Sequence, residues 1–134
     1  VPEQYIYESY KLPLKEIAIS QWLENIIRKV DNNVICIPNG FDFNYFTLST
    51  PIENRNRFEI SMLYHIDIRK RCSDAFSALE LIKKKYPQLH VNIFGAYPKP
   101  SNLPNWYTYV QKPTKEIHNS IYNSSSIFIN SFIN

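Results

Sequence analysis

Glycine is nearly missing from this chain, with two residues in 134. That scarcity removes any glycine-rich phosphate loop; neither a Walker-type loop nor a G-x-G-x-x-G turn is present. Cysteine is equally rare. Cys36 and Cys72 are the two, one in an apparent strand and one at a helix start, which excludes a disulfide scaffold or a cysteine-bound metal. They read as buried thiols in a reducing compartment. No His, Cys, Asp and Glu cluster has metal-ligand spacing, so no metal site is expected. No signal peptide or long apolar span occurs, so no membrane-crossing segment is expected. The net charge of +3 is mild and its cations are dispersed, apart from Arg69–Arg71 and Lys83–Lys85, so nucleic acid is not an expected partner.

What is present suffices for a folded core: 44% hydrophobic and 15% aromatic residues at ordinary single-domain length. The stretch from Phe58 to Gly95 organises the rest. Phe58–Tyr64 is a short apolar run. Ser73–Lys85 has helical periodicity, and Leu89–Phe94 is a second apolar run stopped by Gly95. That order is a βαβ unit with parallel strands. Between the first strand and the helix lies His65-Ile-Asp-Ile-Arg-Lys-Arg71. In parallel sheets ligands bind beyond the carboxyl ends of the strands. A cationic loop there, leading into a helix N-terminus, suits a phosphate group.

Around that unit, residues 1–13 read as an irregular lead-in. Glu16–Ser20 is a short strand, and Ser20 caps a helix over Gln21–Val30 with Trp22, Leu23, Ile26, Ile27 and Val30 on one face. Val34–Ile37 is the next strand, closed by the Pro38-Asn-Gly40 turn. A polar, aperiodic stretch, 49–57, is the expected linker between an earlier lobe, 1–48, and a later lobe, 58–134. In the later lobe Trp106–Val110 is a strand. Thr114 precedes a helix from Lys115 to about Asn123 with Ile117, Ile121 and Tyr122 buried, and Ile127–Ile129 is a last strand. The fold class expected is α/β, a Rossmann-like parallel sheet flanked by helices. Both ends look cut, since Val1 opens mid-phrase and Asn134 follows a strand directly.

The candidate phosphate-binding residues are Lys70 first, then Arg69, Arg71 and His65. Each has a plainer reading: a solvated basic loop for the cations, a satisfied strand end for His65. Asn39 and Gly40 either face a cleft or form an ordinary turn. Gly95 and Ala96 either let a ligand approach the backbone or merely end a strand. Trp22, Trp106 and the tyrosines read as packing, and His90 and His118 as structural.

The ordered set of these pieces resembles the middle of a GT-B glycosyltransferase of the large group 1 family. Ile37-Pro-Asn-Gly-Phe-Asp42 matches the I-P-N-G-x-D phrase that ends the family's first lobe, with Phe46 at the following aromatic. Ile17–Ser20 matches an upstream strand ending in serine. Lys70 falls at the family's loop lysine, and Ala78-Leu79 at its helix pair. Val91–Gly95 matches a strand ending in glycine. Glu116-Ile117, Ile121-Tyr122 and Ile127–Ser131 follow the closing phrase. The likeness runs from about Tyr5 to Ser131.

The resemblance implies transfer of a sugar from a nucleoside-diphosphate sugar to an acceptor hydroxyl, with retention and without a metal or other cofactor. The acceptor would be a glycan or a lipid-linked glycan. The location implied is cytoplasmic, with peripheral contact at the inner membrane face. The resemblance also places Val110 and Lys112 beside the nucleotide base through backbone atoms. Departures stand out. Tyr64-His65 replaces a Gly-Arg pair, so His65 stands where an arginine helps neutralise the diphosphate, and Arg69 or Arg71 is the candidate replacement. Ser126 replaces a common Asp and Val110 a common Gly. The acidic E-x7-E segment that holds the donor sugar would lie beyond Asn134, so the chain as it stands is expected to be inactive alone. Two other readings remain: a non-enzymatic nucleotide- or phosphate-binding module, and an α/β domain for protein contacts.

Overall fold

The computed structural model describes residues 3–131. The chain divides into two compact units, one up to Phe41 and one from Asp42.

In the first unit, a helix α1 (Glu3–Ser9) stands where an irregular lead-in was expected. None of its residues is buried, so no apolar stripe marked it in the sequence. Strands β1 (Ile17–Ala18) and β2 (Ile35–Cys36) pair in parallel, with Ile17 opposite Ile35 and Ala18 opposite Cys36. Between them runs α2 (Gln21–Ile27), capped by the Ser20 hydroxyl, which accepts from the Leu23 N–H at 3.2 Å. The small core is Ala18, Ile27 and Val34, with Tyr10 and Leu23 packed on it. Trp22, expected on the buried face, is 72% exposed. Glu24 is buried instead, held by Arg28 at 2.6 Å and Gln21 at 2.5 Å. The paired carboxylate makes that burial tolerable.

The second unit is α/β with a four-stranded, all-parallel, Rossmann-like sheet. Its strands are β3 (Asn56–Tyr64), β4 (His90–Gly95), β5 (Tyr107–Gln111) and β6 (Ser125–Ile129), in the order β5-β4-β3-β6. Helix α3 (Cys72–Lys85) links β3 to β4, and α4 (Lys115–Ser124) links β5 to β6. Cys72, Ala75 and Leu79 recur at helical spacing and pack on Ile60, Met62, Val91, Ile93 and Tyr107. Burying each large apolar side chain here stabilises by about 1.5–3 kcal/mol. Three lysines, Lys83–Lys85, close α3, where the helix dipole favours cations. Lys83 also donates to the Pro87 and Leu89 carbonyls at 2.6 and 2.8 Å.

Successive strand residues point to opposite faces, so Phe94 leaves the α3 side. It packs on His118 and Tyr122 of α4 and on Phe128. The same face turns polar toward the other end of β4. There His90 bridges Glu59 at 2.8 Å and Thr108 at 3.0 Å, the structural role expected of it.

The stretch expected as an interlobe linker is a strap across α4. Asn123, buried in α4, accepts from the N–H groups of Ser49 (2.8 Å) and Thr50 (3.1 Å), and donates to the Thr47 carbonyl at 2.8 Å. Arg55 then donates to the carbonyls of Thr50, Tyr122 and Ser125 at 2.8–2.9 Å. Phe46 meets the His118 ring edge-on at 5.5 Å, and Lys115 pairs with Asp42 at 3.0 Å. The division therefore falls after Phe41 rather than at 49–57, because polar bonds across the sequence bind 42–55 to the second unit.

Candidate functional site

Strand order points to a candidate site. From β3 the chain builds outward through β4 and β5, then returns to the other side of β3 as β6. The two halves part between β3 and β6, and an open parallel sheet forms its ligand crevice at such a point, beyond the carboxyl ends. The segments leaving those ends are His65–Arg71 after β3 and Asn130-Ser131 after β6. They meet: the Ser131 hydroxyl donates to the Lys70 carbonyl at 2.7 Å. Nothing in the sequence singled out Ser131 for this contact.

The basic loop is built from local bonds. Asp67 caps a single 3-10 turn, Ile68–Lys70, accepting from the Arg69 N–H at 2.9 Å. The Asp67 N–H donates to Nδ1 of His65 at 2.9 Å. Because Nδ1 accepts, the neutral ring carries its proton on Nε2 and offers one donor there. The His65 N–H reaches the Cys72 sulfur at 3.4 Å, and that thiol donates to the Leu63 carbonyl at 3.7 Å. Arg71 sits in the left-handed region, φ 47°, at the turn into α3. That is an uncommon place for a residue with a side chain, and such positions gather at functional sites and switches.

Charge in the loop is partly spoken for. Arg69 is 82% exposed and pairs with Asp67 at 2.5 Å. The Arg69 guanidinium holds the Asp67 carboxyl well below the ordinary carboxylate range, and Asp67 raises Arg69 in return. Arg71 pairs with Asp74 in the first turn of α3. Two carboxylates thus accompany three cations. Exposed pairs of this kind are worth roughly 0–1 kcal/mol, so an incoming anion exchanges them readily. A cavity of about 390 Å³ opens between His65, Asp67, Arg71, Ser73 and Phe76. A second, of about 540 Å³, lies against Arg69, Arg71 and Asp74.

The other candidates divide. Ala96 and Lys112 follow β4 and β5, so in a parallel sheet they lie on the same edge as the loop. The Lys112 N–H donates to the Gly95 carbonyl at 2.8 Å, and Lys112 is left-handed, φ 47°. The Tyr97 ring stands edge-on to His65 at 4.8 Å, bringing the β3 and β4 loops together. Gly95 is needed for packing: a Cβ there would meet the Tyr64 carbonyl oxygen at 2.5 Å. The neighbouring strand, not a ligand, accounts for that glycine. Val110 lies within β5 opposite Phe94, and its side chain shares that face. Asn39 and Gly40 belong to the first unit, exposed beyond β2; a Cβ at Gly40 would meet nothing within 4 Å, and its backbone is not left-handed.

Among the described residues no group of three or more His, Cys, Asp or Glu gathers to hold a metal, and no helix is long and apolar enough to cross a membrane. No protein-family model matches this chain, nor does any curated protein or solved structure.

Proposed function

We propose that the second unit is the donor-binding part of a GT-B glycosyltransferase, moving a sugar from a nucleoside-diphosphate sugar to an acceptor hydroxyl. The observation that carries this reading is the position of the His65–Arg71 loop at the parting of β3 and β6. As the glycosidic bond breaks, negative charge gathers on the leaving diphosphate. Cations fixed beside it stabilise the transition state more than the ground state. Lys70 supplies one charge. Arg69 or Arg71 supplies another by exchanging a carboxylate partner for phosphate, which compensates for His65 in place of arginine. His65 adds a single Nε2–H donor. The acceptor belongs to a glycan or lipid-linked glycan, which makes the cytoplasmic face of a membrane the working location. Retention of configuration and the absence of a cofactor are part of the same reading.

A non-enzymatic nucleotide- or phosphate-binding module is the second reading. It is supported by Asp67 and Asp74, which leave the loop with less net charge than its three cations suggest.

Calorimetry with UDP, GDP and ADP on the intact protein tests both readings. One diphosphate should bind, and Lys70→Ala should weaken it by about tenfold or more, the usual worth of a hydrogen bond to a charged group. Release of sugar from the matching nucleotide sugar then supports the transferase. Binding without turnover leaves the module, and binding of none of the three removes both.

A further inference from the structure

The bridge through His90 does more than tie three strands together. Glu59, His90, Asn92 and Thr108 share the sheet face opposite α3, toward the amino-terminal ends of β3, β4 and β5. Glu59 is paired with His90 in the β3–β4 register, and Asn92 with Thr108 in the β4–β5 register. A Glu59 carboxylate oxygen lies 2.8 Å from Nδ1 of His90, and the Thr108 hydroxyl lies 3.0 Å from its Nε2. Asn92 donates to that same Glu59 oxygen at 2.6 Å and holds the carboxylate in place.

The direction of the protons follows from the partners. An ionised carboxylate only accepts, so Nδ1 of His90 donates to Glu59. In the neutral ring Nε2 then carries the lone pair and accepts from the Thr108 hydroxyl. A hydroxyl within hydrogen-bond reach of an imidazole, with the imidazole oriented by a third group, is the arrangement that activates a nucleophile. Thr108 is exposed and His90 half-buried, so a substrate can reach the hydroxyl while the ring is held between two partners. The basic loop leaves the opposite end of β3, so this cluster is independent of the phosphate reading.

We propose that Thr108 is a nucleophile toward activated esters of small carboxylic acids, with His90 as its general base and Glu59 positioning the ring. The Thr108 oxygen attacks the ester carbonyl while Nε2 of His90 takes the hydroxyl proton. The tetrahedral adduct collapses, the bond to the leaving oxygen breaks, and an acyl-threonine remains. The proton held by His90 passes to the leaving oxygen. Water, giving its proton to the same nitrogen, then attacks the acyl group. The carboxylic acid leaves and the proton returns to Thr108. The face is open, so water stabilises the oxyanion and the advantage is that of a general base, about 10²–10⁴-fold. An open face selects for reactivity rather than shape, hence small activated esters.

p-Nitrophenyl acetate is the probe on the intact protein, followed by p-nitrophenolate release and by mass spectrometry of acetyl groups after digestion. Acetyl should appear on Thr108 ahead of the other serine and threonine hydroxyls. His90→Gln should slow acetylation of Thr108 by about a hundredfold. Thr108→Val keeps the branched shape and should lose the release that depends on His90, whereas Thr108→Ser should restore acylation at that position. Glu59→Ala frees Nδ1 of His90, so the ring nitrogen shifts should report a change of tautomer together with slower acetylation. Amide spectra of the variants should match the parent away from each substitution. The proposal fails if Thr108 takes no acetyl, if His90→Gln acylates it as fast as the parent, if Thr108→Val releases p-nitrophenolate as the parent does, or if Glu59→Ala changes neither tautomer nor rate.

Discussion

Two irregular, polar segments flank the central strand of the second unit, and they are built on opposite principles. The strap, residues 42–55, is held by side chains about seventy positions away; Asn123 alone takes the N–H groups of Ser49 and Thr50 and gives to Thr47. Those bonds are part-buried. The basic loop, 65–71, is held mainly by its own neighbours, Asp67 to Arg69 and Asp67 to His65, with Ser131 reaching the Lys70 carbonyl from farther along the chain. Its ion pairs face solvent. A buried amide that loses its partners leaves groups unsatisfied, at about 1–3 kcal/mol each. An exposed pair loses roughly 0–1 kcal/mol and can take a new partner. The strap is thus structure, and the loop is the part able to answer an anion.

The largest effect should come from breaking the strap. Asn123→Ala strands two amide donors and a carbonyl and should lower stability by about 3 kcal/mol, read as the shift of a urea midpoint. Lys70→Ala is its counterpart in the loop. Lys70 is half-buried, so stability should fall by about 1 kcal/mol, well short of the Asn123 loss, while diphosphate affinity falls about tenfold or more. Equal stability losses from the two variants would erase the distinction. Smaller again is Asp67→Asn. Freed from the carboxylate, Arg69 should tighten diphosphate binding about threefold at low salt, the scale of one exposed pair. The gain should fade as salt screens the loop. An unchanged or weaker affinity would show that Asp67 positions Arg69 rather than competing for it.

The smallest effect concerns pH and belongs to the strap. His118 lies between Phe46, Phe94 and Tyr122, and burial lowers its pKa from the ordinary 6.5. The unfolded chain then binds the proton more readily than the folded one. The native state is fully favoured above about pH 6.5 and loses that advantage as pH drops through the window below it. His118→Phe should flatten the stability profile between pH 7 and 5, whereas Lys70→Ala should leave its slope alone. A profile that keeps its slope in His118→Phe would contradict this assignment.

The βαβ unit of the loop was legible in the sequence because its signals are local and apolar. The strands β3 and β4 and the helix α3 fall within a residue or two of the apolar runs that mark them. The strap was not legible, since nothing in Thr47–Thr50 announces a polar partner at Asn123. Trp22 misled because hydrophobicity alone does not fix which side of a short helix is buried, and a paired Glu24 took the inner position. At the site, the loop's place in the chain was readable and its charge balance was not drawn. The signal existed: Asp67 stands two residues before Arg69, and Asp74 three after Arg71. Gly95 looked like a ligand position, and only the distance to the Tyr64 carbonyl reveals its packing role.

The central claim is that the β3 loop, and not the strap, receives a diphosphate. Backbone amide shifts measured while UDP, GDP or ADP is titrated into the protein test it most directly. The account predicts saturating shifts at His65–Ser73 and at Ser131, with Thr47–Arg55 unmoved. Shifts confined to the strap, or none at the loop at saturating nucleotide, would contradict it.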